Sequence, residues 1–252
     1  MLTQYIAATQ NLLQSPGAPS PLYSVANLTL WINSARNQLA GEAKCIRAMG
    51  TLTLSIGLNN YAFSSIIIPS AAANGILGVW EIETLWYSVG SGMKWLRPRP
   101  WGWFSRYELS NPVPPSGPPA VWSQFGQGAA AQSSPLPVGG GSLYISPLPD
   151  IAYTVPVDAV CYPIPLVDDT TPEAIPYLWT DAVPYFAAYL ALMAAQTNSR
   201  IEQAKTMFGL YEEFVARARR ASTPMVLPGI YPQQSNPTRQ NQLGVAARGA
   251  AA

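Results

Sequence analysis

The chain has 252 residues, enough for one large or two smaller hydrophobic cores, and only 11% of them are charged, for a formal net charge of +1. Near neutrality excludes a global electrostatic footprint for nucleic acid or an anionic membrane, and the absence of histidine removes the usual general base and commonest transition-metal ligand, which weighs against an enzyme. Low charge beside 11% aromatics and 25 prolines suits a subunit that covers much of its surface with neighbours.

Leu2, Tyr5, Ile6, Thr9, Leu12 and Leu13 fall at helical spacing, and Pro16-Gly17 ends that segment. After the proline-rich link to Pro21, Ser24 is placed to cap a second helix running to about Cys45. Its apolar stripe is Val25, Leu28, Ile32, Ala35 and Leu39, and its polar face holds Asn27, Asn33, Arg36, Asn37 and Lys44. The first residues lack the basic start and sustained apolar core of a signal peptide, and no apolar run reaches the length of a membrane span. A soluble protein made in the cytoplasm is expected. Cys45 and Cys161 are too few for a disulfide framework and read as small buried hydrophobes.

From Thr51 the texture changes. Residues 51–56, 61–68 and 76–85 are short runs of β-branched and aromatic types, and Asn74-Gly75 predicts a hairpin turn. Residues 93–106 predict a short helix or loop, because Pro98 and Pro100 forbid a long helix. Five prolines and one glycine make 111–120 an extended loop. Further strands are expected at 120–125, 142–145, 151–156 and 159–162, with a break over 127–141. Gly139, Gly140 and Gly141 precede a strand rather than a helix, so they form a turn and no phosphate-binding loop.

Helix is expected again after Asp168-Asp169, with Thr170 and Glu173 as a capping box, then a continuous face at Val183, Phe186, Ala187, Leu190 and Ala194 opened by Asp181. Ser199 and Glu202 suggest a second capping box before the stripe Ile201, Ala204, Phe208, Tyr211, Val215 and Ala218. The short connection between these helices implies an antiparallel hairpin. Thr223-Pro224 ends it. The expected fold class is α+β: an antiparallel helical bundle from 1–48 and 171–222, a β-rich insertion at 49–170, and an extended arm at 223–252. In that arm Met225, Val226, Leu227, Ile230 and Tyr231 offer an apolar anchor, while Arg239 and Arg248 are its only charges.

Three constellations carry candidate chemistry. Glu81 and Glu83 share one face of a strand, but a glycosidase needs its carboxylates across a cleft, and a solvated or subunit-facing strand edge is the simpler reading. Asp168-Asp169 reads as helix capping rather than a metal site, and Arg217, Arg219 and Arg220 complement a helix dipole. Lys94, Arg97, Arg99 and Arg106 interleave with Trp95, Trp101, Trp103 and Phe104. Such a set can stack bases and hold phosphates, but Trp and Arg also concentrate in protein interfaces, the favoured reading here.

The stretches Val121-Trp122-Ser123-Gln124-Phe125-Gly126-Gln127, Ile145-Ser146-Pro147-Leu148-Pro149-Asp150, Ala159-Val160-Cys161-Tyr162-Pro163, Leu166-Val167-Asp168-Asp169, the run from Trp179 to Ala191 and Met207-Phe208-Gly209-Leu210-Tyr211 resemble the head-to-tail adaptor proteins of tailed bacteriophages. Ile32-Asn33-Ser34-Ala35-Arg36 and Gly41-Glu42 add to the likeness, which covers most of 24–221. The resemblance implies a structural virion protein at the neck, a ring of twelve copies beneath the portal protein that extends the DNA channel. It further implies docking of tail tube, nozzle or fibre proteins, DNA passing without sequence-specific binding, no membrane, no cofactor and no catalysis. The competing reading is a tail or fibre-type attachment protein that binds a receptor through its aromatic insertion.

Overall fold

One local and one long-range cap set the first two helices. Ser24 Oγ accepts the Asn27 N–H at 3.2 Å and starts α2 (Val25–Ala43), which ends where Lys44 turns into the left-handed region. The shorter α1 (Leu2–Leu12) is capped from far away: Asp169 Oδ1 accepts the Thr3 N–H at 2.9 Å and the Met1 amino group at 2.7 Å. This is a computed structural model that describes residues 1–14, 23–89, 92–110, 114–126, 140–195 and 198–222. Over these it is a mixed α+β fold with five α-helices and two four-stranded sheets.

The first sheet has the order β1-β8-β3-β4, with β1 at Arg47–Leu54, β3 at Ile76–Val89, β4 at Gly92–Trp95 and β8 at Tyr153–Pro163, every neighbour antiparallel. The second has the order β2-β7-β6-β5, with β2 at Asn60–Ala62, β5 at Arg97–Pro98, β6 at Val121–Phe125 and β7 at Ser142–Ser146; β5 alone runs parallel to its neighbour. The remaining helices are α3 (Trp101–Tyr107), α4 (Ala182–Ala194) and α5 (Asn198–Ser222). α4 packs against α5, α2 and α1, and α2 also lies on β8. One hydrophobic core runs from Leu28, Ile32 and Leu39 through Val157 and Ala159 to Leu143 and Ile145.

Several local expectations give way to long-range pairing. The run 61–68 is not one strand: β2 stops at Ala62, a 3₁₀ turn comes next, and Ile67 forms only a single bridge to Thr51. Asn74-Gly75 makes a turn but no hairpin, because β3 pairs with β8 and β2 belongs to the other sheet. Gly75 is required there twice over: its φ is +68°, and a Cβ would lie 2.5 Å from the Pro172 carbonyl oxygen. The two runs 151–156 and 159–162 fuse into β8 in spite of Pro156. The β8–β3 pairing ends at Val157, so Pro156 has only β1 as its neighbour and no ladder bond is lost to its missing N–H on the β3 side.

No helix forms over 170–176. Asp168 Oδ1 instead accepts the N–H groups of Thr170 at 2.9 Å and Thr171 at 3.0 Å, and Glu173 leaves its expected capping box to pair with Arg36. The Asp168-Asp169 pair therefore does cap backbone, but a turn and α1 rather than a helix just after it. Ser199 lies inside α5, and Glu202 pairs with Lys205 at 2.8 Å instead of closing a capping box. The links at 15–22, 111–113 and 127–139 and the arm lie outside the described residues.

Candidate functional site

Within residues 92–107 the buried Leu96 is bonded to both sheets. Leu96 donates its N–H to the Leu85 carbonyl at 2.9 Å, and its own carbonyl accepts Trp122 Nε1–H at 3.3 Å. On one side of it β4 closes the first sheet; on the other, Arg97 and Arg99 donate their N–H groups to Ala120 and Trp122 carbonyls at 2.9 and 2.8 Å, so β5 closes the second. Pro100 then starts α3, a helix rather than a loop, whose missing N–H costs nothing at a helix start.

Phe104 is the buried anchor of α3. Around it Trp101 meets Phe125 at 4.7 Å and Tyr144 at 4.8 Å between ring centroids, tying the helix to β6 and β7. Three cations lie over aromatic rings: Arg99 4.9 Å from Trp103, Arg106 5.8 Å from Tyr107, and Lys94 5.7 Å from the buried Tyr87. Trp95 is 56% exposed and touches Trp86 at 4.8 Å, with Met93 68% exposed beside it. Among the described residues none of Lys94, Arg97, Arg99 and Arg106 belongs to an ion pair. No carboxylate occurs between 92 and 107, and the next one along, Glu108, is hydrogen-bonded to Ser146. Trp95, Arg97, Arg99, Trp101, Trp103 and Arg106 thus lie in one continuous stretch, with Trp101 and Trp103 partly covered and the other four exposed.

The acids are engaged elsewhere. Lys44 Nζ bridges Glu81 at 2.8 Å and Glu83 at 2.9 Å, so these two do share a face, on a strand whose Ile82 is bonded on the far side by a side chain rather than left as a bare edge. That side chain is Gln124: its Oε1 accepts the Ile82 N–H at 3.0 Å and its Nε2 donates to the Ile82 carbonyl at 3.4 Å. Asn33 repeats the device on α2, donating to the Leu166 carbonyl at 3.0 Å and accepting the Leu166 N–H at 2.8 Å. Arg36, expected on the polar face of α2, is fully buried, with Nε and Nη2 on Glu173, and Nη1 on the Ile164 carbonyl at 2.7 Å. No local pattern pointed to these three; the only signal is that Asn33 and Arg36 come directly after Ile32 and Ala35, next to the apolar stripe.

On the helices, Leu28, Ile32, Leu39, Tyr211 and Val215 are buried. Ile201, Phe186, Leu190 and Phe208 are half-covered, the ring of Phe186 lying 4.7 Å from Tyr211. Val25 is not core: it is 61% exposed, because the first residue after the Ser24 cap faces solvent. The Tyr211 hydroxyl donates to Glu42 at 3.0 Å, and burial, then the Glu42 charge, pushes its pKa above the usual phenol value. Glu42 also lines a cavity of about 720 Å³ with Asn37, Gln38, Trp80, Tyr162 and Phe186. Met225, Leu227, Ile230, Tyr231, Arg239 and Arg248 lie outside the described residues.

No helix among the described residues is long and apolar enough to cross a membrane. A search of curated proteins gives no match. A family model described as SU10 adaptor protein matches residues 2–228, nearly the whole chain and every element described above. The chain therefore belongs to the SU10 adaptor protein family, a family of bacteriophage adaptors.

Proposed function

We propose that this chain is a structural, non-catalytic neck protein of the virion: a ring of twelve copies under the portal that extends the DNA channel and docks tail tube, nozzle or fibre proteins. The observation that carries the docking role is the aromatic and uniformly basic stretch at 92–107, which no carboxylate of its own segment neutralises. Trp and Arg anchors of this kind supply most of the energy of protein interfaces. In this reading the helices from the two chain ends act as one bundle that carries the β-rich insertion, and no cofactor is used. The arm at 223–252, with its short apolar run and two arginines, locks the ring against portal or a neighbouring copy.

Light scattering of the purified chain with and without portal tests the assembly. A closed ring formed on portal and weak association without it are expected. A stable trimer in isolation with affinity for glycans would favour the fibre-type reading instead. Deleting 223–252 is expected to weaken capture by portal while leaving the melting temperature of the remainder nearly unchanged.

A further inference from the structure

We propose that the outer edge of β4 takes up an extended, acidic segment of a partner protein by strand addition. The proposal rests on the reading of 92–107 as a docking face and assigns that face a mode and a chemistry. In an antiparallel pair, opposite residues alternate between hydrogen-bonded and non-bonded pairs. The Leu96 N–H bonds to the Leu85 carbonyl one step beyond the Trp86–Trp95 pair, which sets the phase of the ladder. Two residues on, Tyr87 and Lys94 are bonded as well, whereas Trp86–Trp95 and Ser88–Met93 are not. The 4.8 Å approach of the Trp86 and Trp95 rings matches the closer side chains of a non-bonded pair.

The backbone N–H and C=O groups of Met93 and Trp95 therefore point away from β3. β4 is the terminal strand of its sheet, and among the described residues no backbone partner meets either residue on that side. All four residues of β4 are exposed. Edge strands are usually blunted by proline, bulges or charge. β5 obeys that rule: Arg97 and Arg99 both donate inward to β6, so Pro98 occupies the outward position between them and removes its donor. β4 has no such block. Its outward residues bear large apolar side chains instead, and its only charge is Lys94.

Those features select the occupant. Two outward donor–acceptor pairs need an extended backbone, and Met93 and Trp95 offer apolar contact to alternate residues of it. Among the described residues Lys94, Arg97, Arg99 and Arg106 have no carboxylate partner, so the complementary strand is acidic.

The probe is a fluorescein-labelled heptapeptide alternating glutamate and valine, titrated into the full chain and followed by anisotropy. Three companion titrations use the same peptide with proline at its inner valines, a lysine–valine peptide and oligothymidylate. We expect saturable binding of the glutamate–valine peptide and weakening on the order of tenfold both by the prolines and by Met93→Pro, which deletes an outward N–H without touching the β3 ladder. Because Met93→Pro could perturb the hairpin, hydrogen exchange on the unaltered chain is measured as well, and slowed exchange of the Met93 and Trp95 amides on peptide addition is expected. Equal binding of the proline peptide with unprotected amides would overturn strand addition and leave a charged docking face in place. Binding of oligothymidylate alone, or of none of the four probes, would overturn both the strand addition and the docking face.

Discussion

Arg36 and Glu173 stand 137 positions apart in the chain and meet as an ion pair of 2.8 Å, with the arginine side chain only 1% exposed. The pair fastens the irregular stretch 164–176 onto α2, helped by the Arg36 bond to the Ile164 carbonyl and by Asn33 on Leu166. The Tyr5 hydroxyl is buried close by; burial first, and the Glu173 charge second, raises its pKa above the ordinary phenol value. Removing one partner of such a pair strands a charge out of water. Glu173→Ala is therefore expected to destabilise the chain by about 3–5 kcal/mol in urea denaturation. A loss under about 1 kcal/mol would show that water reaches the guanidinium.

Burial ranks substitutions along the helical stripes. Ile32→Ala removes a fully buried side chain and is expected to cost about 2–5 kcal/mol, while the half-covered Phe208→Ala falls toward the low end of that range. Val25→Ala, at an exposed position, is expected within about 0.5 kcal/mol of the parent. A denaturation series that placed Val25 beside Ile32 would mean that α2 is rotated from the orientation described.

Gln124 joins the two sheets by treating Ile82 as a neighbouring strand would. Gln124→Ala leaves one donor and one acceptor of Ile82 without their partner, and a loss of about 1–3 kcal/mol is expected in thermal or urea unfolding. Gln124→Glu keeps an acceptor for the N–H and loses the donor, so it should also fall below the parent. A neutral Gln124→Ala would remove the side-chain amide as a link between the sheets.

Acid should loosen the α1 end first. Asp169 accepts from the Met1 amino group and from the hydroxyl and N–H of Thr3, which together hold its pKa well below the ordinary 3.8; Asp168 is lowered in the same direction by the hydroxyls of Thr170 and Thr171. A depressed folded-state value means that the stabilisation is present above the unfolded pKa and is lost as pH falls through the folded one. The melting temperature is expected to decline below about pH 5, with Asp169→Asn lower at neutral pH and flatter in acid. Parallel acid limbs for the two proteins would contradict this.

Both thiols are shielded. Burial pushes the Cys45 thiol up to about 11, and burial together with the Asp158 charge pushes Cys161 up to about 12. Neither should react with a thiol-specific disulfide reagent at pH 8 until denaturant is added, and fast labelling of either in the native chain would show a breathing core.

How much of this could be read in advance depends on sequence distance. The periods of α2 and α5 are local, so Leu28, Ile32, Tyr211 and Val215 could be picked from spacing, and Ser24 as a cap from its neighbours. The turn at Asn74-Gly75 was equally legible as a turn, yet its strands go to different sheets because β8 competes for both β1 and β3. Arg36 looked like surface since its partner lies in a stretch that resembles a helix start. Asp169 looked like the cap of the segment just after it, whereas it caps α1 from the far end of the fold. The basic and aromatic composition of 92–107 was plain, but which of its backbone groups face outward emerges only from the register of β3 with β4.

Leu96 has a mechanical consequence. The strands on either side of it terminate different sheets, and its N–H and C=O are bonded to one sheet each. A pull applied to a partner seated on this stretch would be passed to both sheets at once, because the chain before and after Leu96 is hydrogen-bonded into a different one.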